Sequence, residues 1–227
     1  AAYGSAGERC MAQSVAVAVG KIGNQLITKL AKKVESLKVG PGIDKNSEMG
    51  PLVTKQHLEK VRGYVDLGVQ EGAKLVVDGR NIKFQGYEKG FYIGGCLFDN
   101  VDKKMRIYKE EIFGPVVTIY VYNDEEWNSM LDIVDQTSDY ALTGAFISQD
   151  EESIKTALNK LRYSAGNFYI NDKPSGAVVG QQPFGGCRAS GTDDKAGSKL
   201  NLLRWVSPRL VSRTHKPPTN YPYDYMD

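Results

Sequence analysis

Residues 116–122 read VVTIYVY, a run so dense in β-branched and aromatic side chains that it is the strongest strand signal in the chain. SVAVAV at 14–19 is a second strand, built of small apolar residues and punctuated by Gly20. LVVD (75–78), FYIGGCLF (91–98), 142–147 and NFYIN (167–171) read as further strands. Helical spacing fills the intervals. Leu26, Ile27, Leu30, Val34 and Leu37 recur over 22–37, with Lys29, Lys32 and Lys33 opposite. Thr54 is placed to cap a helix carrying Leu58, Val61, Val65 and Val69 and ending at Gly72. Trp127, Met130, Leu131 and Val134 face inward over 125–136. Asp150 is placed to cap a helix with Ile154, Ala157, Leu158 and Leu161 on its apolar face. Strands alternating with helices predict an α/β fold with a mostly parallel twisted sheet flanked by helices.

A chain of 227 residues, 41% of them AVILMFWYC, can bury a sizeable core without staples. A formal charge of +2 asks for neither nucleic acid nor an anionic membrane as partner. No apolar run approaches the roughly 18 residues of a membrane span. The opening AAYGSAGERC lacks the pattern of a signal peptide. Cys10, Cys96 and Cys187 are odd in number and have no CxxC spacing, which argues against a disulfide framework or structural zinc. His57 and His215 stand alone in sequence and read as surface residues. The tail, 211–227, holds several prolines and tyrosines and reads as an extended arm packed on the body or a partner chain, or else as a disordered end.

Three features could carry chemistry. Cys10, in GERCM, precedes the first strand beside Arg9 and could serve as a nucleophile. The plainer reading is a core cysteine. KEEIFGPV (109–116) offers carboxylates for hydroxyl groups and a ring for a flat ligand, or else a charged turn feeding a strand. GQQPFGGCRASG (180–191) is a glycine-rich loop whose backbone can approach something closely. It is neither a GxGxxG fingerprint nor a phosphate-binding P-loop.

In this order, the three resemble the carboxyl-terminal half of the aldehyde dehydrogenase superfamily. Cys10 and Glu111 lie 101 residues apart, and Phe113 and Phe184 lie 71 apart, as that family's pattern requires. The resemblance implies that Cys10 attacks an aldehyde carbon as a thiolate. A hydride then leaves for NAD, and water hydrolyses the thioester. The Cys10 amide would help hold the oxyanion. Glu111 would bind the nicotinamide ribose and Phe113 would lie beside the ring. Phe184 would wall the aldehyde pocket, with Pro115, Asn171 and Gly185 as scaffold. Cys96 and Cys187 match no catalytic position.

From about Gly7 to Val101, GERCMA, EGAKLVVDGR and GYEKGFYIGGCLFDNV resemble methylmalonate-semialdehyde dehydrogenase, which transfers its acyl group to CoA. From about Val121 onward, LTGAFISQD, AGNFYINDKPSGAVVGQQPFGG and THKPPTNYPYDYM resemble glutamate-semialdehyde (1-pyrroline-5-carboxylate) dehydrogenase. There Gly176 and Ala177 would hold the substrate carboxylate, with Phe184 against its aliphatic part. Met11 departs from the serine that many members carry after the nucleophile. The second resemblance is favoured because its loop touches the substrate, so the expected activity is oxidation of L-glutamate γ-semialdehyde to L-glutamate. CoA enters only under the alternative. A fusion of the two families, or a non-catalytic module pairing with a full subunit, stands as a rival.

The resemblance implies a catalytic domain over 1–210 and an arm over 211–227. It also implies a dinucleotide-binding domain upstream, together with the general-base glutamate and the oxyanion asparagine. The isolated 227 residues are therefore expected not to oxidise aldehydes. Family members act on small aldehydes and assemble into homo-oligomers through this half. They occur in the mitochondrial matrix of eukaryotes and in bacterial cytoplasm.

Overall fold

The structure, a computed structural model, describes residues 1–226. In chain order the regular elements are β1 (Val15–Val19), α1 (Ile22–Glu35), α2 (Lys55–Gln70), β2 (Lys74–Val77), β3 (Cys96–Asp99), α3 (Arg106–Lys109) and β4 (Val116–Tyr122). They continue with α4 (Trp127–Gln136), β5 (Tyr140–Ala141), β6 (Thr143–Phe146), α5 (Glu151–Lys160), β7 (Asn167–Ile170) and β8 (Cys187–Arg188). The first four strands form one sheet in the order β1-β4-β3-β2. β4 is parallel to both β1 and β3, and β2 alone runs antiparallel, at the edge beside β3. β6 and β7 pair in parallel, and β5 and β8 form a short antiparallel pair.

The β-branched run at β4 explains its central place. Val116, Val117, Thr118 and Ile119 are all buried, with helices against the sheet. Thr118 tolerates burial because its Oγ1 donates to the Ser14 carbonyl at 3.2 Å, on the way into β1. The core on one face includes Val61, Val65, Phe98, Ile107 and Ile112. Val61 and Val65 of α2 are fully buried, and each contributes roughly 1.5–3 kcal/mol. On the other face, Ala18, Ile27, Leu97, Val117 and Ile119 cluster.

Both predicted caps form. The Thr54 side chain accepts from the His57 N–H at 3.1 Å, and Asp150 Oδ2 accepts from the Ser153 N–H at 2.8 Å. Four expectations are corrected. The run 91–98 becomes a strand only at Cys96, because the Gly94 N–H donates to the Gly79 carbonyl at 2.7 Å and diverts the backbone from the ladder. Val69 and Leu158 point to solvent; Gly68 meets the core in place of Val69, so that Phe98 and Ile107 can close on the helix. Residues 203–223 are exposed throughout, which removes packing on the body from the readings offered for the tail. His57 is half-buried rather than a surface residue; His215 is exposed as expected.

Parallel neighbours place the site. β1 and β4 lie side by side and point the same way, so the segments that enter them share one edge of the sheet. Cys10 is in the first of those segments and Glu111–Phe113 in the second.

Candidate active site

The chain enters β1 through a compact loop. Ser5, Ala6 and Gly7 all have left-handed backbone, with φ of 51°, 54° and 74°. Gly7 is obligatory here, because a Cβ would lie 2.1 Å from the Gly114 carbonyl oxygen. This contact docks the cysteine loop directly on the IFGP corner. Two residues on, the Ala12 N–H closes a turn on the Arg9 carbonyl at 2.9 Å, with Cys10 and Met11 at its centre. Met11 is buried and pins the turn, while Cys10 is exposed. The Cys10 N–H makes no hydrogen bond among the described residues. Arg9 turns its Nε to Ser5 Oγ at 2.9 Å, so the guanidinium serves the loop.

The second segment separates its two carboxylates. Glu110 accepts from Arg106 Nε at 2.6 Å and from the Tyr64 hydroxyl at 2.6 Å. The Arg106 guanidinium, followed by the Tyr64 bond, holds the Glu110 carboxyl down at about 2. Glu111 is exposed, and its side chain makes no hydrogen bond or ion pair among the described residues. Phe113 adopts φ 59°, in the left-handed region, with its ring half-exposed. Its carbonyl lies 2.7 Å from His57 Nε2, and the two rings meet edge-on. The same Nε2 lies 3.4 Å from Glu8 Oε1.

The glycine-rich loop is held by other groups. Asn167 of β7 is buried; its Nδ2 donates to the Pro183 carbonyl at 3.0 Å and its Oδ1 accepts from the Gly185 N–H at 3.3 Å. Lys195 Nζ donates to the Gly166 carbonyl at 2.6 Å and pairs with Asp193 at 2.7 Å. Phe184 bridges to Ala196 and keeps 39% of its surface exposed. Gln182 Oε1 accepts from the Val178 N–H at 3.2 Å. The neighbouring N–H groups of Gly176 and Ala177 have no hydrogen-bond partner among the described residues. Asn171 is scaffold, exchanging two bonds with Ser148 at 2.8 and 3.0 Å.

Of the residues picked out from sequence, Cys10, Glu111 and Phe113 are brought to one edge of the sheet. Gly176, Ala177 and Phe184 share a second loop, and no hydrogen bond or ion pair among the described residues ties that loop to the Cys10 turn. Two cavities, of about 610 and 470 Å³, are lined by neither Cys10, Phe113 nor Phe184, and Cys10 is exposed to solvent. Sequence reasoning missed His57 and Asn167. The capping position of Thr54 fixes where His57 points, but its partners are a backbone carbonyl and a distant glutamate that spacing does not reveal. Cys96, the first residue of β3, lies at this same edge but is fully buried, its N–H donating to the Pro115 carbonyl at 2.8 Å; Cys187 lies in β8. Burial pushes the Cys96 thiol up to about 11.

The model of the aldehyde dehydrogenase family matches residues 1–210. The chain belongs to the aldehyde dehydrogenase family. Among its relatives, the mitochondrial delta-1-pyrroline-5-carboxylate dehydrogenase of Dictyostelium discoideum is 41% identical over 97% of this aldehyde dehydrogenase chain and 39% of its own length. The delta-pyrroline-5-carboxylate dehydrogenase of Mycobacterium tuberculosis, solved with NAD and cobalamin, superposes with a TM-score of 0.81 at 37% identity, covering 100% of this chain and 41% of that one. Methylmalonate-semialdehyde dehydrogenase from Oceanimonas doudoroffii superposes with a TM-score of 0.74 at 39% identity, covering 83% and 38%. Both resemblances extend over most of the chain. The aldehyde dehydrogenase chain spans about two fifths of the length of these relatives. None of its described helices is long and apolar enough to cross a membrane.

Proposed function

We propose that this chain carries the nucleophile half of an NAD-dependent dehydrogenase that oxidises L-glutamate γ-semialdehyde to L-glutamate. One observation supports this most: the contact of Gly7 on Gly114 docks an exposed thiol loop on the segment bearing the free Glu111 carboxylate and the Phe113 ring. The identity to dehydrogenases named for pyrroline-5-carboxylate supports the choice of substrate. The residues present fit a nicotinamide nucleoside. Glu111 is an acceptor with no partner of its own, suited to ribose hydroxyls, and Phe113 is a flat apolar face half open to solvent. NAD, when bound, supplies the hydride acceptor.

The chain's own groups do the rest. The Cys10 thiolate adds to the aldehyde carbon to give a thiohemiacetal, and after loss of hydride the thioester is cleaved by water. The unpaired Cys10 N–H is available to the developing oxyanion. The free N–H groups of Gly176 and Ala177 suit the substrate's α-carboxylate. Phe184 offers an apolar surface for its methylenes. Homo-oligomeric assembly, and a mitochondrial location in a eukaryotic source, accompany this reading.

The test uses the full-length protein. NADH should form with glutamate semialdehyde without added CoA, and Cys10→Ala should lower kcat by roughly four orders of magnitude. A Cys10→Ala variant as active as its parent overturns the proposal. An absolute need for CoA, with methylmalonate semialdehyde as the better substrate, moves the assignment to the other relative.

A further inference from the structure

We propose that His57 is a positioning residue that locks the nucleophile loop to the cofactor corner. Three elements meet at its ring. The Thr54 cap fixes the first turn of α2 by accepting from the His57 N–H at 3.1 Å, so the imidazole projects from a rigid origin. Nε2 then lies 2.7 Å from the Phe113 carbonyl and 3.4 Å from Glu8 Oε1. A carbonyl only accepts, so Nε2 carries the hydrogen and donates it to Phe113. Phe113 sits at φ 59°, a conformation that costs a non-glycine residue energy unless its surroundings impose it. The bond to His57 is one such restraint, and it sets which way the Phe113 ring and the nearby Glu111 face.

Glu8 completes the link from the other side. It is two residues before Cys10, and its Oε1, 3.4 Å from Nε2, accepts from the Val53 N–H at 3.5 Å, beside the Thr54 cap. Only 19% of the His57 side chain and 13% of the Glu8 side chain are exposed, so the pair forms a seam beneath the site rather than a surface contact. His57 thus makes no bond to the thiol; it acts through Phe113, which it touches, and Glu8.

The inference rests on the reading of Glu111 and Phe113 as the cofactor corner, and its test is built to fail separately. In the full-length protein, His57→Leu keeps the volume but removes the donor, and His57→Gln returns an N–H on a similar reach. Two quantities are read: the dissociation constant of NAD by fluorescence titration, and the rate of Cys10 alkylation by iodoacetamide without cofactor or aldehyde. In the leucine variant, NAD should bind about fivefold more weakly and the alkylation rate should shift about fivefold, the worth of one neutral hydrogen bond. Glutamine should return both to within about twofold of the parent. Alkylation and NAD binding unchanged in His57→Leu, or glutamine as damaging as leucine, overturns the inference. The alkylation pattern in a protein that fails to oxidise the semialdehyde upholds the inference and removes only the substrate assignment. Should the leucine variant not fold, 15N NMR of the parent decides: a bare Nε2 on His57 overturns the proposal, and a protonated Nε2 with bare Nδ1 upholds it.

Discussion

Three thiols in one chain have three different surroundings, and the surroundings rank their chemistry. Cys10 is exposed at the corner of a turn, Cys187 is half-buried 3.9 Å from Asp193, and Cys96 is fully buried beneath the Gly79 N–H. A disulfide reagent on the native protein should therefore modify Cys10 first, and Cys96 only after unfolding; labelling of Cys96 in the native protein would contradict this burial. The adjacent glutamates separate in the same way. Glu110 is held by Arg106 and Tyr64, whereas Glu111 is unengaged. Glu111→Gln should raise the KM for NAD about tenfold in the full-length protein, the loss of a charge-assisted hydrogen bond, with Glu110→Gln leaving it unchanged. Equal effects from the two substitutions would contradict their division of labour.

At the scale of single elements, helix faces and caps follow short-range rules, and these were readable from the residues. Thr54 and Asp150 cap α2 and α5 because their oxygens reach the N–H three positions on, a local geometry. Which residue at the margin of an apolar stripe is covered depends instead on the neighbour. Leu158 belongs to the α5 stripe by spacing, yet it is 44% exposed, while Ile154 and Ala157 take the contacts with the body. Ile154→Ala should accordingly cost about 2 kcal/mol or more in chemical denaturation, and Leu158→Ala under about 1 kcal/mol. A larger loss at Leu158 would place the helix face differently. The late start of β3 was likewise illegible, since FYIGG has strand composition and only the approach of Gly79 to Gly94 keeps it off the ladder.

Across the whole molecule, the class of fold follows from the alternation of strand and helix, while the order of the strands and the seam at His57 do not. The seam joins residues 8, 57 and 113, brought together only once β1 and β4 are neighbours. The same sheet gives the fold a pH dependence. Burial raises both Cys96, to about 11, and Tyr3, whose hydroxyl donates to the Cys96 carbonyl at 3.0 Å. Both are held protonated in the native state, so their contribution is complete below about pH 8.5, the ordinary thiol value. It declines as pH rises toward 11, where the unfolded chain ionises first, and Cys96 alone accounts for about 2–3 kcal/mol. Denaturation midpoints should fall over that interval and fall less in Cys96→Ala; a flat alkaline profile would contradict the burial of both groups. The account as a whole turns on a covalent bond between Cys10 and the aldehyde carbon. Acid-quenched turnover of the full-length protein with glutamate semialdehyde and NAD, followed by peptide mass spectrometry, tests it directly. A glutamyl thioester on the peptide containing Cys10 is the predicted result; an unmodified Cys10 beside continuing NADH formation, or an adduct on Cys96 or Cys187 instead, would contradict it.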